Sequence, residues 1–220
     1  MKARLKGSRE LGPNTRHFEF EPVDWKTAFV PGQFLSLTHN EVTRAYSIAS
    51  PPHTDGFALC ANLVEDGRFS PFLFDMQPGD EVDFKGPYGA FIMKQTPSDS
   101  IFVATGTGIA PFRSMLLSQP DRRVTLIFGV RHREGLLYDE ELQGLAGEGK
   151  NFQYVPTLTR PPRDWTGKTG RVQAHVLEAL GERRDMDVYI CGLREMVDDL
   201  RAKLKETGLD RKRIIYEKYD

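Results

Sequence analysis

Residues 101–111 read Ile-Phe-Val-Ala-Thr-Gly-Thr-Gly-Ile-Ala-Pro, an order suited to holding an anion. The apolar opening predicts a short buried strand. Gly106 and Gly108 let the backbone turn sharply and approach a ligand closely. Pro111 suits the first position of a helix, where its fixed φ fits and its missing N–H is not needed. Strand, glycine turn and helix N-terminus together aim free amides and the positive end of a helix dipole at one point. This is not the dinucleotide G-x-G-x-x-G, because Pro111 replaces the third glycine. Taken alone, the segment also fits an ordinary tight turn.

Two earlier constellations carry similar chemistry. Arg44, Ala45, Tyr46 and Ser47 place a cation, an aromatic ring and a hydroxyl within four residues. On a strand, Arg44 and Tyr46 share a face and Ser47 takes the other, a pairing suited to a ligand with both phosphate and a flat ring. An exposed strand with one stabilising aromatic would look the same. Gly67, Arg68, Phe69 and Ser70 precede a short helical pattern. There Ser70 is expected to cap the helix and the amides to meet a pyrophosphate, with simple capping as the plainer alternative. The turn at 86–91 carries little by itself.

The elements around these residues fall into two rhythms. Alternating segments at 2–6, 15–21, 33–37, 45–49, 56–64 and 81–85, separated by Gly, Pro, Asp and Asn turns, predict a six-stranded antiparallel barrel. One helix, 70–76, interrupts it, with Phe69, Phe72, Leu73 and Met76 at helical spacing. Residues 94–100, with Pro97 and two serines, mark the boundary between a domain at 1–97 and another at 98–220. Beyond it, strands at 101–104, 123–129, 152–158, 187–191 and 213–219 alternate with helices at 111–118, 138–146, 172–180 and 195–206. That order predicts a five-stranded parallel, doubly wound α/β sheet. Ligands bind such sheets at the carboxyl ends of the strands, so Gly106, Gly129 and Gly192 are expected to line one crevice.

Composition narrows the function classes. The chain has 220 residues, 39% of them hydrophobic, and a formal net charge of −1. That charge offers no electrostatic case for nucleic acid or membrane. No apolar run is long enough to span a bilayer and no leader opens the chain, so the expected setting is a reducing cytoplasm. Cys60 and Cys191 are the only cysteines. They are too few for a disulfide framework, a cysteine-based zinc site or a cysteine-ligated iron–sulfur cluster within this chain. The five histidines show no metal-ligand spacing, and no metal is expected.

One family joins these motifs in order. Pro31-Gly32-Gln33-Phe34, Arg44 to Ser47, Gly67 to Ser70, Gly79-Asp80, Gly86 to Gly89, Thr105 to Pro111, Gly129-Val130-Arg131, and Cys191-Gly192 with Met196 resemble the ferredoxin–NADP reductase superfamily across essentially the whole chain. The resemblance implies an FAD-binding barrel followed by a nicotinamide-dinucleotide domain, with hydride passing between nicotinamide and flavin. It implies that Tyr46 packs on the flavin ring, Ser47 lies near its reactive nitrogen, and Arg44 neutralises the pyrophosphate with help from Gly67, Arg68, Phe69 and Ser70. Ala45 belongs to the same flavin-binding run. Thr105, Gly106, Thr107 and Gly108 would hold the nicotinamide end of NADP(H), with Cys191, Gly192 and Met196 close by. The ending Glu217-Lys218-Tyr219 resembles one in which a Glu stands near the reaction and an aromatic covers the flavin.

The resemblance also bears on cofactor and partner. Arg131, Arg160 beside Thr159, and Arg171 match positions where bacterial NADP-dependent members place phosphate-binding arginines. A 2′-phosphate suits arginine's forked donors. No acidic residue directly follows the second strand to hold a free ribose diol, so NADP(H) is expected over NAD(H). The partner expected is a separate one-electron carrier, ferredoxin or flavodoxin. The alternatives are a reductase component of an oxygenase, a free-flavin reductase, and a non-catalytic flavin relay subunit.

Overall fold

A computed structural model describes every residue except 24–27, 53–54, 96–97, 120, 150 and 220. Pro97, named above as part of the domain boundary, lies outside the described residues. The described chain forms two compact units: Met1–Met93 with Ala110–Ser118, and Lys94–Ile109 with Gln119–Asp220.

The first unit is built on six antiparallel strands. They are β1 (Lys2–Gly12), β2 (Thr15–Pro22), β3 (Phe34–His39), β4 (Val42–Ser47), β5 (Phe57–Asn62) and β6 (Glu81–Tyr88), in the order β4-β3-β6-β1-β2-β5. A bridge between Ile48 and Leu59, with Ala49 N–H donating to Ala58 O at 2.7 Å, joins the two ends of that order. Every second residue points inward: Phe18 and Phe20, Leu35 and Leu37, Phe57 and Leu59, Val82 and Phe84 form one buried cluster. Helix α1 (Ser70–Asp75) adds Phe69, Leu73 and Met76 to the same cluster.

The second unit is a parallel sheet. Its strands are β7 (Ser100–Thr105), β8 (Val124–Val130), β9 (Phe152–Leu158), β10 (Lys168–Thr169), β11 (Asp187–Leu193) and β12 (Ile214–Tyr219), ordered β10-β9-β8-β7-β11-β12. Helices α3 (Asp139–Glu148), α4 (Val172–Leu180) and α5 (Arg194–Glu206) belong to this unit. Ile101, Val103, Ile127, Val188 and Ile190 on one sheet face pack against Val172, Val176 and Leu180 of α4 and Val197, Leu200 and Leu204 of α5.

Three expectations need correction. The sheet has six strands rather than five, because Lys168 and Thr169 pair with Thr157 and Leu158; two exposed residues carry no periodic pattern to read. Helix α2 (Ile109–Ser118) begins before Pro111, straight after a 3₁₀ turn at Gly106–Gly108, so Pro111 sits within the first turn rather than opening it. Proline is accommodated there because the first-turn amides have no intrahelical partner. Finally, Ala110–Ser118 groups with the barrel unit and not with the unit that holds β7, which it follows in sequence. Arg113 Nη1 donates to Ala49 O at 2.8 Å, Ser114 Oγ donates to Ser50 O at 2.6 Å, and Phe112 meets Phe91 edge-on at 5.6 Å.

Candidate functional site

In the barrel unit, β4 presents the Arg44–Ser47 run in register with Leu37 through Phe34 of β3. Arg44 and Ala45 are exposed, Tyr46 is half-buried and Ser47 is buried. The Arg44 guanidinium donates to Thr43 O at 2.8 Å, which steadies an outward-facing cation. The Tyr46 ring packs on the barrel core, its centroid 5.9 Å from that of Phe69. Burial pushes its hydroxyl up to about 12, with Arg44 opposing, so the phenol is a neutral donor at physiological pH.

Ser70 does not do what its position suggests. Phe69, not Ser70, occupies the cap position of α1, and no side chain caps the helix. Ser70 Oγ instead accepts from Val64 N–H at 2.9 Å and donates to Val64 O at 3.2 Å, clipping the loop that carries Gly67 and Arg68. Gly67 N–H donates to the same Val64 O at 2.8 Å, and a Cβ on Gly67 would meet that oxygen. Local sequence shows a serine beside a helix; only the fold shows which backbone its hydroxyl reaches.

In the sheet unit, Thr105, Cys191 and Glu217 gather at the carboxyl ends of β7, β11 and β12. Cys191 pairs in register with Ala104 on one side and Glu217 on the other. The glycines here divide their labour. Gly106 has φ +54° and nothing within 4 Å of where a Cβ would stand, which leaves room for a ligand. At Gly108 a Cβ would run into Cys191 O, so that residue is small for packing and not for ligand approach. Gly192, at φ +150°, faces Thr105 Oγ1 and lies beside Met196. Gly129 neighbours Thr105, but its missing side chain is replaced by Val172 of α4, so it does not open onto the expected crevice.

Thr105 Oγ1 is buried and has no hydrogen-bond partner. A buried hydroxyl left unpaired costs free energy, roughly 1–3 kcal/mol, unless something arrives to satisfy it. Cys191 is fully buried, and burial pushes its thiol well above the usual range. The Glu217 carboxylate pushes the same way, while a hydrogen bond from Tyr219 opposes. The thiol is therefore protonated at neutral pH and offers a polarisable neutral surface, not a thiolate nucleophile.

The expected arginines flank the ends of β8 and β9. Thr159 N–H donates to Val130 O at 3.1 Å and Arg160 N–H to Arg131 O at 2.8 Å, which sets Arg131 and Arg160 on adjacent backbone. Arg171 occupies the N-cap position of α4 without a side-chain capping bond, after Gly170, whose N–H donates to Leu158 O at 2.9 Å. All three arginines and Thr159 are exposed. A crevice of about 450 Å³ opens at Arg160, lined also by His132, Arg133, Glu134, Pro161 and Pro162; Arg131, Thr159 and Arg171 are not among its lining residues. His132, Arg133 and Glu134 were not legible as site residues, since each is an exposed polar residue in a charged segment.

The donor set fits two dinucleotides. Arg44 and Arg68 supply exposed cations in the barrel unit, Arg44 acting on the Tyr46 hydroxyl and Arg68 preceding Phe69, whose ring neighbours that of Tyr46. The orphaned Thr105 hydroxyl and the open space at Gly106 suit a carboxamide-bearing ring in the sheet unit. Among the described residues, no group of three or more His, Cys, Asp or Glu could hold a metal ion. No described helix is long and apolar enough to cross a membrane.

Comparison with known proteins agrees with this arrangement. Residues 2–93 match the oxidoreductase FAD-binding domain and residues 102–202 the oxidoreductase NAD-binding domain. The ferredoxin–NADP reductase B of Sorangium cellulosum is 39% identical over 99% of this chain and 97% of its own length. The chain belongs to the ferredoxin–NADP reductase-like superfamily.

Two solved structures share the fold closely. A ferredoxin NADP+ reductase from Neisseria gonorrhoeae, solved with bound FAD and NADP, is 26% identical, with a TM-score of 0.81 over 99% of this chain and 98% of that one. The Amycolatopsis cytochrome reductase GcoB is also 26% identical, with a TM-score of 0.91 over 99% of this chain and 69% of that one. This superfamily member is thus a flavoprotein oxidoreductase with an FAD-binding and an NAD(P)-binding domain.

Proposed function

We propose that this reductase passes reducing equivalents between NADP(H) and a separate one-electron carrier protein of the ferredoxin or flavodoxin class. The observation that carries the nicotinamide half is the buried, unpartnered Thr105 hydroxyl beside Gly192 and the open Gly106. Flavin, when bound, supplies the exchange between two-electron and one-electron chemistry. The chain's own residues bind, orient and exclude water.

Each residue then has a role. Arg44, Arg68 and the amides near Ser70 neutralise the flavin pyrophosphate, Tyr46 packs on the ring, and Ser47 donates toward its reactive nitrogen. Thr105 Oγ1 takes the nicotinamide carboxamide, and Thr107 and Gly108 shape the turn beneath it. The neutral Cys191 thiol and the Met196 side chain form an apolar floor. Glu217 is the negative group of the site, and Tyr219 is the aromatic that competes with nicotinamide for its place. Arg131, Arg160 and Arg171 take the 2′-phosphate, which favours NADP(H) over NAD(H).

A second reading, the reductase component of an oxygenase, is favoured by the likeness to the Amycolatopsis cytochrome reductase. Both readings predict a yellow protein that bleaches anaerobically with NADPH and much less readily with NADH. A purified ferredoxin, a flavodoxin and an oxygenase component, offered in turn to the reduced protein, separate them by which one is reduced catalytically. A protein that no pyridine nucleotide bleaches would be a relay subunit, and the proposal would fall.

A further inference from the structure

The crevice beside Arg160 is held by a brace for which the nucleotide-binding residues do not account. The chain leaves β9 with Thr159 and Arg160 bonded to Val130 O and Arg131 O. Pro161 and Pro162 follow, which lack an N–H and restrict φ. The segment then turns back, and Asp164 Oδ2 accepts from Arg133 Nη1 at 2.8 Å. Thr159 is held by the last residue of β8, while the Arg160 and Asp164 anchors land within the three residues after it. Residues 160–164 therefore form a closed loop, tied at each end to the stretch 131–133.

Trp165 locks the far side of this loop. Its N–H donates to Pro162 O at 3.1 Å and its indole Nε1 donates to Lys168 O at 2.9 Å. The Arg133 guanidinium lies 5.6 Å from the centre of the indole ring. Gly167 makes room for the ring, since a Cβ there would stand 2.5 Å from Trp165 Cζ2. Lys168 in turn pairs with Glu178 of α4 at 2.9 Å. Arg133 thus meets Asp164 and Trp165 together, and its contact with Asp164 holds that carboxyl below the usual carboxylate range.

We propose that Asp164 is a positioning residue: by pairing with Arg133 it holds Arg160 at the crevice, and so sets the discrimination between 2′-phosphorylated and unphosphorylated adenine nucleotides. The proposal rests on the NADP(H) reading above. An arginine on a free loop must be ordered when it binds, and that entropy is charged against affinity. A backbone already fixed at both ends removes part of the cost. Asp164 also offsets the positive charge of Arg133, which lines the same crevice as Arg160 and would otherwise repel it.

The test is calorimetric titration of the holoprotein with 2′-phospho-AMP and with 5′-AMP. Asp164→Asn should weaken 2′-phospho-AMP by up to about fivefold, the ceiling for an exposed ion pair, and leave 5′-AMP unchanged. KM for NADPH should rise by the same factor at constant kcat. Reversal of the pair, Arg133→Asp with Asp164→Arg, should restore 2′-phospho-AMP binding. Unchanged binding by Asp164→Asn overturns the proposal, and so does equal weakening of both nucleotides. Tighter binding overturns it too, since a released Arg133 would then be gripping the phosphate itself. Arg160→Ala separates the two levels of inference. If it weakens 2′-phospho-AMP while Asp164→Asn does not, the brace fails and the NADP(H) reading stands. If Arg160→Ala changes nothing, the reading falls and takes the brace with it.

Discussion

Thr105 stores a small debt in its unpaired hydroxyl, and that debt makes a prediction with two opposite signs. Thr105→Val keeps the side-chain shape and deletes the buried, unpartnered oxygen. The ligand-free protein should become no less stable, and more stable by up to about 1–3 kcal/mol if the desolvation penalty is fully relieved. NADPH binding should weaken at the same time, by roughly twofold to twelvefold for one lost neutral hydrogen bond. Thermal midpoint and nucleotide dissociation constant, measured on the same sample, check both. A loss of stability with unchanged binding would make Thr105 an ordinary strand residue. Cys191 belongs to the same scale: its protonated thiol should resist alkylation in the native protein and react only after unfolding.

At the scale of elements, β2 and α2 share one consequence of α2 joining the barrel unit. His17 of β2 is buried, and its pKa is lowered to about 3, first by burial and then by the charges of Arg113 on α2 and Arg9 on β1. Glu19 also faces it, with Oε1 3.4 Å from Nε2. With the ring neutral above about pH 3, that contact is not an ion pair at physiological pH. The folded state therefore favours neutral His17, while the unfolded chain protonates near the ordinary value of 6.5. The contribution is fully present above pH 6.5 and is lost as pH falls toward 3, where the unfolded chain binds one proton more. The whole swing is several kcal/mol at most, at about 1.4 kcal/mol per pH unit. Chemical denaturation at pH 7 and at pH 4.5 should show lower stability at the acid value, and His17→Gln should flatten that difference. Equal slopes for the two proteins would place the acid sensitivity elsewhere.

For the whole molecule, the groups assigned to the 2′-phosphate and the brace around them all belong to the sheet unit. Flavin stripped from the intact chain should therefore leave affinity for 2′-phospho-AMP unchanged while abolishing NADPH oxidation. Released flavin should be FAD, one per chain, non-covalently held. A marked loss of 2′-phospho-AMP binding in the flavin-free chain would show that the nucleotide groove depends on the barrel's ligand.

Sequence alone determined much of this protein, wherever the signal is local. The period-two alternation of Phe18 and Phe20 or Leu35 and Leu37 marks barrel strands, because each residue's side of the sheet follows from its neighbour's. Helix α4 was legible at 172–180 from its apolar spacing, and the order of glycine motifs carried the family. What only the tertiary structure decided involves partners far apart in the chain. Ser70 gives its hydroxyl to Val64 and not to a helix cap; Gly108 is small because Cys191 lies against it; Gly129 makes way for Val172. Two residues of β10 gain strand geometry only from the β9 edge beside them. The pairing of Arg133 with Asp164, 31 residues away, was equally invisible. A charged residue in a polar segment has no periodicity to betray its partner; the folded backbone alone brings the two within reach.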